Sequence, residues 1–457
     1  MKKLVCLLLV LTMVLALAAC GAQKEAPVEE PAVSQEKPAQ SETPKNEAEE
    51  KETAAEEKEP VTLKFLHWQT EISEQLQDVI DAFQEEYPWI TVEQEIVPTA
   101  DWSSVTAARI SGNDKMDICG VQPWNDAATQ TPAFYENEFL MDLSGLECVA
   151  NFSEATLNSD VRSNGVLTSL PLSAQTMVVF YNVDLFKEYN VEVPATWSEF
   201  LAACEVFKSN GIAPISLGAK DGWPISNMGV QIYSSVMEPV YGDAVDLIWN
   251  GDAIPSETGY DQYLRCYADL TENGYWYGDP LATAYADAPV IFGTGKCAMY
   301  EDGAWSSVQI SDCEPDFEVG VFALNASEDA SYNLVPQKYG MTIGIANRTE
   351  HPEECKLFVE YMFRKDVHEA LTNACAYIPT EMGVEVSDPL TKAIKELIDT
   401  REVVPFSASY SANVASEGYK LPITPCLQGI ISGEMTYDEA VNQLDSEFAS
   451  IKASVGK

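Results

Sequence analysis

One stretch limits the possible folds more than any other. Thr168 to Leu217 reads TSLPLSAQTMVVFYNVDLFKEYNVEVPATWSEFLAACEVFKSNGIAPISL. Thr176 to Tyr181 is a run of β-branched and aromatic residues, the composition of a buried strand. Asp184-Leu185-Phe186 begins a short helical turn. Val193 is held extended by the proline that follows it. Thr196-Trp197-Ser198-Glu199 has the form of a capping box, and Phe200, Leu201, Cys204 and Phe207 then share one helical face until Gly211 stops it. On these residues alone the stretch is a strand–helix unit of an α/β domain.

The order of matched residues is more particular than that. Leu170-Pro171, Tyr181-Asn182, Asp184, Phe186, Pro194, Thr196-Trp197, Glu199, Gly211 and Pro214 follow one another as they do in the family 1 extracellular solute-binding proteins, which this stretch closely resembles. These are the sugar-binding components of ABC importers, of the maltose-binding type. A second segment, Phe292 to Trp305, resembles the same family through Phe292-Gly293, Gly295-Lys296, Ala298-Met299, Asp302-Gly303 and Trp305. The chain departs from the family at Asn190, where Gly is usual. The resemblance covers essentially Val61 to Lys457. It implies an α/β, two-lobe, periplasmic-binding-protein-like fold of type II, with the ligand cleft between the lobes. It also implies a division into lobe 1, residues 61–172 with 317–348, and lobe 2, residues 173–316 with 349–457. Crossings between lobes are then expected near Leu172 to Thr176, Asp312 to Phe317 and Asn347 to Pro352.

The N-terminal end is read separately. A basic start precedes an apolar run, Leu4 to Leu17, too short for a membrane span of about 20 residues. Leu17-Ala18-Ala19-Cys20-Gly21 then closes a signal peptide over residues 1–19 and is similar to a bacterial lipobox. That resemblance implies a lipidated Cys20 and a protein anchored at the extracellular face of the cell membrane. Residues 20–60 hold the Cys and a Glu-, Pro- and Ala-rich segment without an aromatic, which cannot bury enough surface to fold. As a flexible tether of about 40 residues it reaches roughly 35 Å.

Composition excludes some partners. The net charge is −45, and the 12 Glu and 5 Lys of residues 22–59 carry only −7 of it, so the folded part is itself acidic. That argues against nucleic acid, and against anionic ligands unless cations are gathered locally. Of 11 cysteines, nine remain beyond Cys6 and Cys20, without C-x-x-C spacing. They read as buried small hydrophobes, with one or two disulfides left open.

Along the folded part, Val61 to Leu66 alternates as a strand and Ile72 to Tyr87 has helical spacing. Ile90 to Val97 is a strand, Trp102 to Ser111 a helix, and Met116 to Val121 a strand, an order that implies a largely parallel sheet. Val230 to Tyr275 is mostly helical. Phe317 to Leu324 and Gly340 to Ala346 are strand-like, Thr349 to Arg364 is a helix, and Thr436 with Glu439 caps a last one. Asp312, Glu314, Asp316 and Glu318 alternate like the solvated face of a strand, which we prefer to a metal site.

Sugars present an apolar C–H face and a rim of hydroxyls, and call for flat aromatics beside Asp, Asn and Gln. Such groups follow predicted strands at Trp68-Gln69, Gln122 with Trp124-Asn125, Asp221 with Trp223, and Asp302 with Trp305. Gln175 sits at the first crossing; Trp102, Tyr410 and Tyr339 complete the candidates. Core packing is the competing reading for each Trp. The family implies that Trp305 stacks on a sugar ring. No H-E-x-x-H, G-x-S-x-G or phosphate-loop motif occurs, and there are only three His. No enzyme, metal or cofactor is expected. The expected partners are a carbohydrate, an ABC permease and, through the anchor, the membrane; the protein is expected to be a monomer. A peptide- or polyamine-binding protein is the alternative within the class; a secreted glycan-cleaving enzyme and a surface adhesin lie outside it.

Overall fold

The computed structural model describes residues 58–112, 116–123, 134, 138–158, 161–163, 165–242, 244–405, 413–414, 419–420 and 423–454. The signal peptide, Cys20 and all but the end of the tether lie outside the described residues, as do Trp124, Asn125 and Tyr410.

The first sheet opens with β1 (Val61–His67), followed by α1 (Ser73–Glu86), β2 (Ile90–Ile96), α2 (Thr99–Gly112) and β3 (Ile118–Val121). β1 pairs in parallel with both β2 and β3, as the alternation of strand and helix predicts. The apolar positions Leu76, Val79, Ile80 and Phe83 of α1 are buried, and the helix ends at Tyr87, which Pro88 restrains from helical geometry. β4 (Leu170–Pro171) joins the same sheet through a strand from late in the chain, β10 (Thr342–Ile345), in the order β2-β1-β3-β10-β4.

The second sheet is built on β5 (Ala174–Asn182), whose residues are buried except Tyr181. Along one side β5 pairs with β7 (Cys297–Gly303), which pairs with β6 (Ala213–Ser216). Along the other it pairs first with β9 (Val335–Tyr339) and then with β8 (Val319–Phe322), and β9 carries β11 (Val403–Pro405). Helices α3 (Trp197–Ser209), α4 (Tyr260–Glu272) and α5 (Asp287–Gly293) pack here, with a helical run over 228–241 that holds a π turn at Tyr233–Met237. The α3 cap is formed as predicted at one bond: Thr196 Oγ1 accepts from the Glu199 N–H (3.4 Å), while the Glu199 carboxylate accepts from Ala195 N–H (2.8 Å), one residue early. Asn190, standing where the family has Gly, takes φ 52°, a left-handed conformation that Asn tolerates better than most residues.

The chain passes between the sheets at Pro171–Ala174, at Tyr339–Thr342, and again after the helix Lys365–Ala374. Two of the expected crossings need correction. The chain does not leave the second sheet near Asp312 to Phe317, because β8 and β9 both lie antiparallel along β5. Nor does it leave the first lobe near Asn347 to Pro352. α6 (Pro352–Met362) and α7 (Lys365–Ala374) pack Phe358, Val359, Met362 and Leu371 into the core around Phe65 and Phe83. Only then does the chain return, to α8 (Pro389–Thr400), α9 (Ile423–Ser432) and α10 (Tyr437–Ser454) of the second lobe. So most of residues 317–339 belongs with the second sheet and residues 342–374 with the first. Short strands pair wherever a neighbour offers matching register and faces, a long-range property that local pattern does not carry. The acidic alternation at 312–318 is likewise not one strand face: Asp312 caps the helix Ser307–Ser311 and Glu314 has φ 48°.

The crossings lie side by side. Gly340 N–H donates to Ser173 O (2.8 Å), Leu172 N–H to Met341 O (3.0 Å) and Ala174 N–H to Ile378 O (2.9 Å). His368 of α7 bonds through Nε2 to Leu172 O (2.9 Å) and faces the Glu381 carboxylate through Nδ1 (3.2 Å). The nine cysteines beyond Cys20 are free thiols, and all but Cys313 are buried. Burial pushes the thiols of Cys297, Cys355 and Cys375 up to about 12, which keeps them protonated and unreactive.

Candidate functional site

β7 ends at Gly303 and the chain turns through a single 3-10 turn, Ala304–Ser306. The turn folds the Trp305 indole back over Gly303: a Cβ at residue 303 would lie 2.2 Å from the ring. The ring packs against Met177 and Val230 and is only partly buried. Its Nε1–H donates to Tyr285 Oη at 2.7 Å. Tyr285 in turn is held by its own N–H, which Asp221 Oδ2 accepts at 2.7 Å, and its ring lies 4.5 Å from that of Trp223. Trp223 is 45% exposed and follows Gly222, whose φ of 81° makes the turn that presents it. Asp221, Trp223 and Trp305 are therefore brought together through one residue, Tyr285. Its hydroxyl is pushed above the ordinary phenol range, first by burial and then by the Asp302 carboxylate, so it remains a neutral acceptor for the indole.

Asp302, expected at the ligand's edge, is placed otherwise. It is 1% exposed, and its oxygens accept from Asn227 Nδ2 (2.7 Å), Tyr300 Oη (2.8 Å) and Ser306 Oγ (2.6 Å). Burial raises its pKa against the pull of those bonds. It anchors the Trp305 turn from below.

In the first lobe, His67 ends β1 with no exposed surface. It bonds Gln94 Oε1 through Nε2 (2.9 Å) and accepts the Gln69 N–H on Nδ1 (3.2 Å). That arrangement is the neutral Nε2–H tautomer, and burial lowers the imidazole to about 4. The His thereby fixes the turn that carries Trp68 and Gln69. Trp68 is nearly buried, 4.8 Å from the Trp102 ring, and sits against Gly120, where a Cβ would meet it at 2.9 Å. Trp102, expected in the cleft, is 1% exposed and belongs to the lobe's core behind Trp68; its Nε1–H has no hydrogen-bond partner among the described residues. Gln122 is buried at the end of β3. Gln175 is buried beside the first crossing, its Nε2 donating to Ser173 Oγ (3.2 Å).

Tyr285 and Lys338 are the functional candidates that sequence reasoning missed. Tyr285 lies in Ala284-Tyr285-Ala286, with no polar neighbour to mark it. Lys338 offered a signal: a lone cation in the strand Val335–Tyr339, two residues before a glycine at a lobe crossing.

Comparison with known proteins bears on the family and the fold. The family model described as bacterial extracellular solute-binding protein matches residues 68–369. A multiple sugar-binding protein of Streptococcus mutans is 26% identical over 309 residues, covering 66% of this chain and 71% of that protein. The structure of RafE in complex with raffinose superposes with a TM-score of 0.71 at 19% identity, covering 86% of this chain and 99% of that one. A chitin oligosaccharide binding protein gives 0.70 at 20% identity over the same shares. At such identities the structural likeness is one of fold.

Proposed function

The chain belongs to the bacterial extracellular solute-binding proteins, and on that premise we propose that it captures a carbohydrate between its two lobes and delivers it to an ABC permease. The observation that carries the reading is the Trp305 platform. One face of the indole is pressed on Gly303, its N–H is tied to Tyr285, and half-exposed Trp223 flanks the same tyrosine. A flat aromatic held rigidly beside polar groups suits the apolar face of a sugar ring and loses little freedom on binding. The named relatives support it: one is a multiple sugar-binding protein, and neighbours of the fold bind raffinose and chitin oligosaccharide. Trp68, Gln69 and Gln122 at the ends of β1 and β3 are proposed as the first lobe's contribution, with Trp124, Asn125 and Tyr410 proposed from sequence alone. Asp302 and Trp102 act behind the surface.

The polyamine alternative loses its support. It needs unengaged carboxylates, but Asp221 holds Tyr285, Asp302 is enclosed, and a lysine stands beside Trp305. We also propose that the protein is monomeric and anchored through Cys20 to the outer face of the membrane, with residues 20–60 as tether. The test of the main reading is a thermal-shift screen of the full chain against a glycan panel that spans neutral and acidic oligosaccharides. Ligand at a hundred times its Kd should stabilise by about 2.7 kcal/mol. A panel with no shift, alongside shifts with peptides or amines, overturns the reading.

A further inference from the structure

Two consecutive carboxyls of β7, Glu301 and Asp302, point to opposite faces of the second sheet. Both are almost fully buried, at 4% and 1% exposure. Their donors differ. Asp302 accepts from three side chains, Asn227, Tyr300 and Ser306, which suits a carboxylate. Glu301 accepts from one: Gln231 Nε2 donates to its Oε1 at 2.8 Å. Its Oε2 is buried with no hydrogen-bond partner among the described residues. The sense of the Gln231 bond is fixed, because Gln231 Oε1 already accepts the Leu324 N–H at 2.6 Å. A buried carboxylate with one oxygen orphaned is costly. A carboxylic acid accepts on one oxygen, carries its proton on the other, and is neutral. The donors around Glu301 are therefore those of the acid.

This pair lies beneath the Trp305 platform. The register sets Glu301 opposite Val179 and Gly303 opposite Met177, all on one face of the sheet. Trp305 rests on that same Gly303. Val230, next to Gln231, packs with Met177 against the same indole. The bond from Gln231 to Glu301 thus ties the helical run on one side of Trp305 to the strand that carries it. The titratable and charged groups around the acid are Asp302 beside it, Tyr267 of α4 with its neighbours Tyr263 and Cys266, and, beyond Asp302, Lys338 of β9. Burial raises the Glu301 carboxyl well above the ordinary range; the Gln231 bond opposes the rise and Asp302 adds to it.

We propose that Glu301 is a positioning residue held as a neutral acid beneath the Trp305 platform, and that its ionisation at rising pH loosens the platform, so that capture is favoured at acidic pH. That the platform receives a sugar rests on the reading above; the proton linkage does not. The sign follows from which state keeps the proton. The unfolded chain releases it near pH 4.5, while the folded chain keeps it to higher pH. The stability given by the neutral acid is whole below pH 4.5 and is lost as pH rises toward the folded value, by up to about tenfold in the unfolding constant per pH unit.

Urea unfolding of the full chain at pH 5, 6, 7 and 8, wild type beside Glu301→Gln, tests this without any ligand. The amide keeps the shape and neutrality of the acid and has no proton to lose. The variant should therefore gain on wild type as pH rises, by about tenfold or more in the unfolding constant between pH 5 and pH 8. A role in packing alone gives a gap that does not change with pH, and that result overturns the inference. Labelling with 5-fluorotryptophan reports on the platform, with Trp305→Phe assigning the resonance. The Trp305 signal should move or broaden between pH 5 and pH 8 in wild type and hold still in Glu301→Gln; a signal unmoved in wild type overturns the link to the platform. Should Glu301→Gln fail to fold, wild-type protein carrying glutamate labelled with carbon-13 at the side-chain carboxyl decides the matter. One glutamate signal at the neutral-acid position at pH 7 upholds the inference, and its absence overturns it. All of these are read without sugar, so failure here leaves the sugar reading standing, and a glycan panel without a shift leaves the proton linkage standing.

Discussion

Gly303→Ala isolates the Trp305 platform without touching the tryptophan. The backbone at Gly303 has φ −71° and ψ 157°, ordinary extended geometry that alanine adopts freely. The added methyl, however, lies 2.2 Å from the ring carbons, where ordinary contact is 3.4–4 Å. The indole must move by about 1.2 Å or more, and the 2.7 Å bond from Nε1 to Tyr285 is then stretched past useful length or lost. Overpacking of this kind costs about 1–3 kcal/mol, here toward the low end because one side of the ring is open. Loss of a large aromatic contact to ligand costs about 2.7 kcal/mol, or a hundredfold in Kd. Titration calorimetry with the glycan found by screening, and a melt on the same sample, measure both. The double variant Gly303→Ala/Trp305→Ala should bind no worse than Trp305→Ala alone and regain the stability lost to overpacking, because the methyl then has nothing to displace. Wild-type affinity in a Gly303→Ala protein that melts early refutes the platform and returns Trp305 to a packing role.

Further outcomes follow from other parts of the chain. His67 has a folded pKa of about 4 against 6.5 when exposed, so the fold favours its neutral form; the stability this gives is present above pH 6.5 and is lost as pH falls toward 4, up to about 3 kcal/mol. His67→Gln should therefore lose less melting temperature than wild type between pH 7 and pH 5, and equal losses would show that His67 is not the titrating group. Cys20→Ser should release the protein from the membrane fraction or accumulate precursor; processed protein that still sediments with membranes rules out the lipid anchor. Small-angle scattering at saturating ligand should show a smaller radius of gyration, and an unchanged profile rules out closure of the lobes.

What could be read in the sequence follows from how local each cause is. The Trp305 turn was legible because its parts, Asp302, Gly303 and Trp305, are nearly consecutive and the motif holds them in a fixed relation. The cap of α3 was legible for the same reason. Asp302 was misplaced because sequence gives a carboxylate its position and not its donors, which come from Asn227, Tyr300 and Ser306 on separate turns. Trp102 was misplaced because a helix bearing an aromatic near a cleft looks the same whether that face turns in or out. Tyr285 was invisible: its role depends on Asp221, Trp223 and Trp305 converging from elsewhere. The lobe boundaries failed at β8, β9, α6 and α7, where the choice between two sheets is made by long-range register.

The placement of the crossings bears on how the two lobes could move. Lys338 lies two residues before the crossing at Gly340–Met341, and Gln175 two residues after Ser173. Those crossing segments are hydrogen-bonded to each other, so a bend at one must be shared by its neighbour. Leu172 is further tied to the first lobe by His368, and Thr380 of the returning segment donates to Pro171 O at 2.6 Å. Were the lobes to close, the bend would fall on a few backbone torsions beside Ser173 and Gly340, the pattern of a hinge and not of helices sliding in shear. A ligand contact to Gln175 would touch the strand that leads out of the first crossing. Only interactions that differ between open and closed states can drive closure. A ligand contact to Trp223, out on its exposed turn, adds affinity more readily than it adds closure.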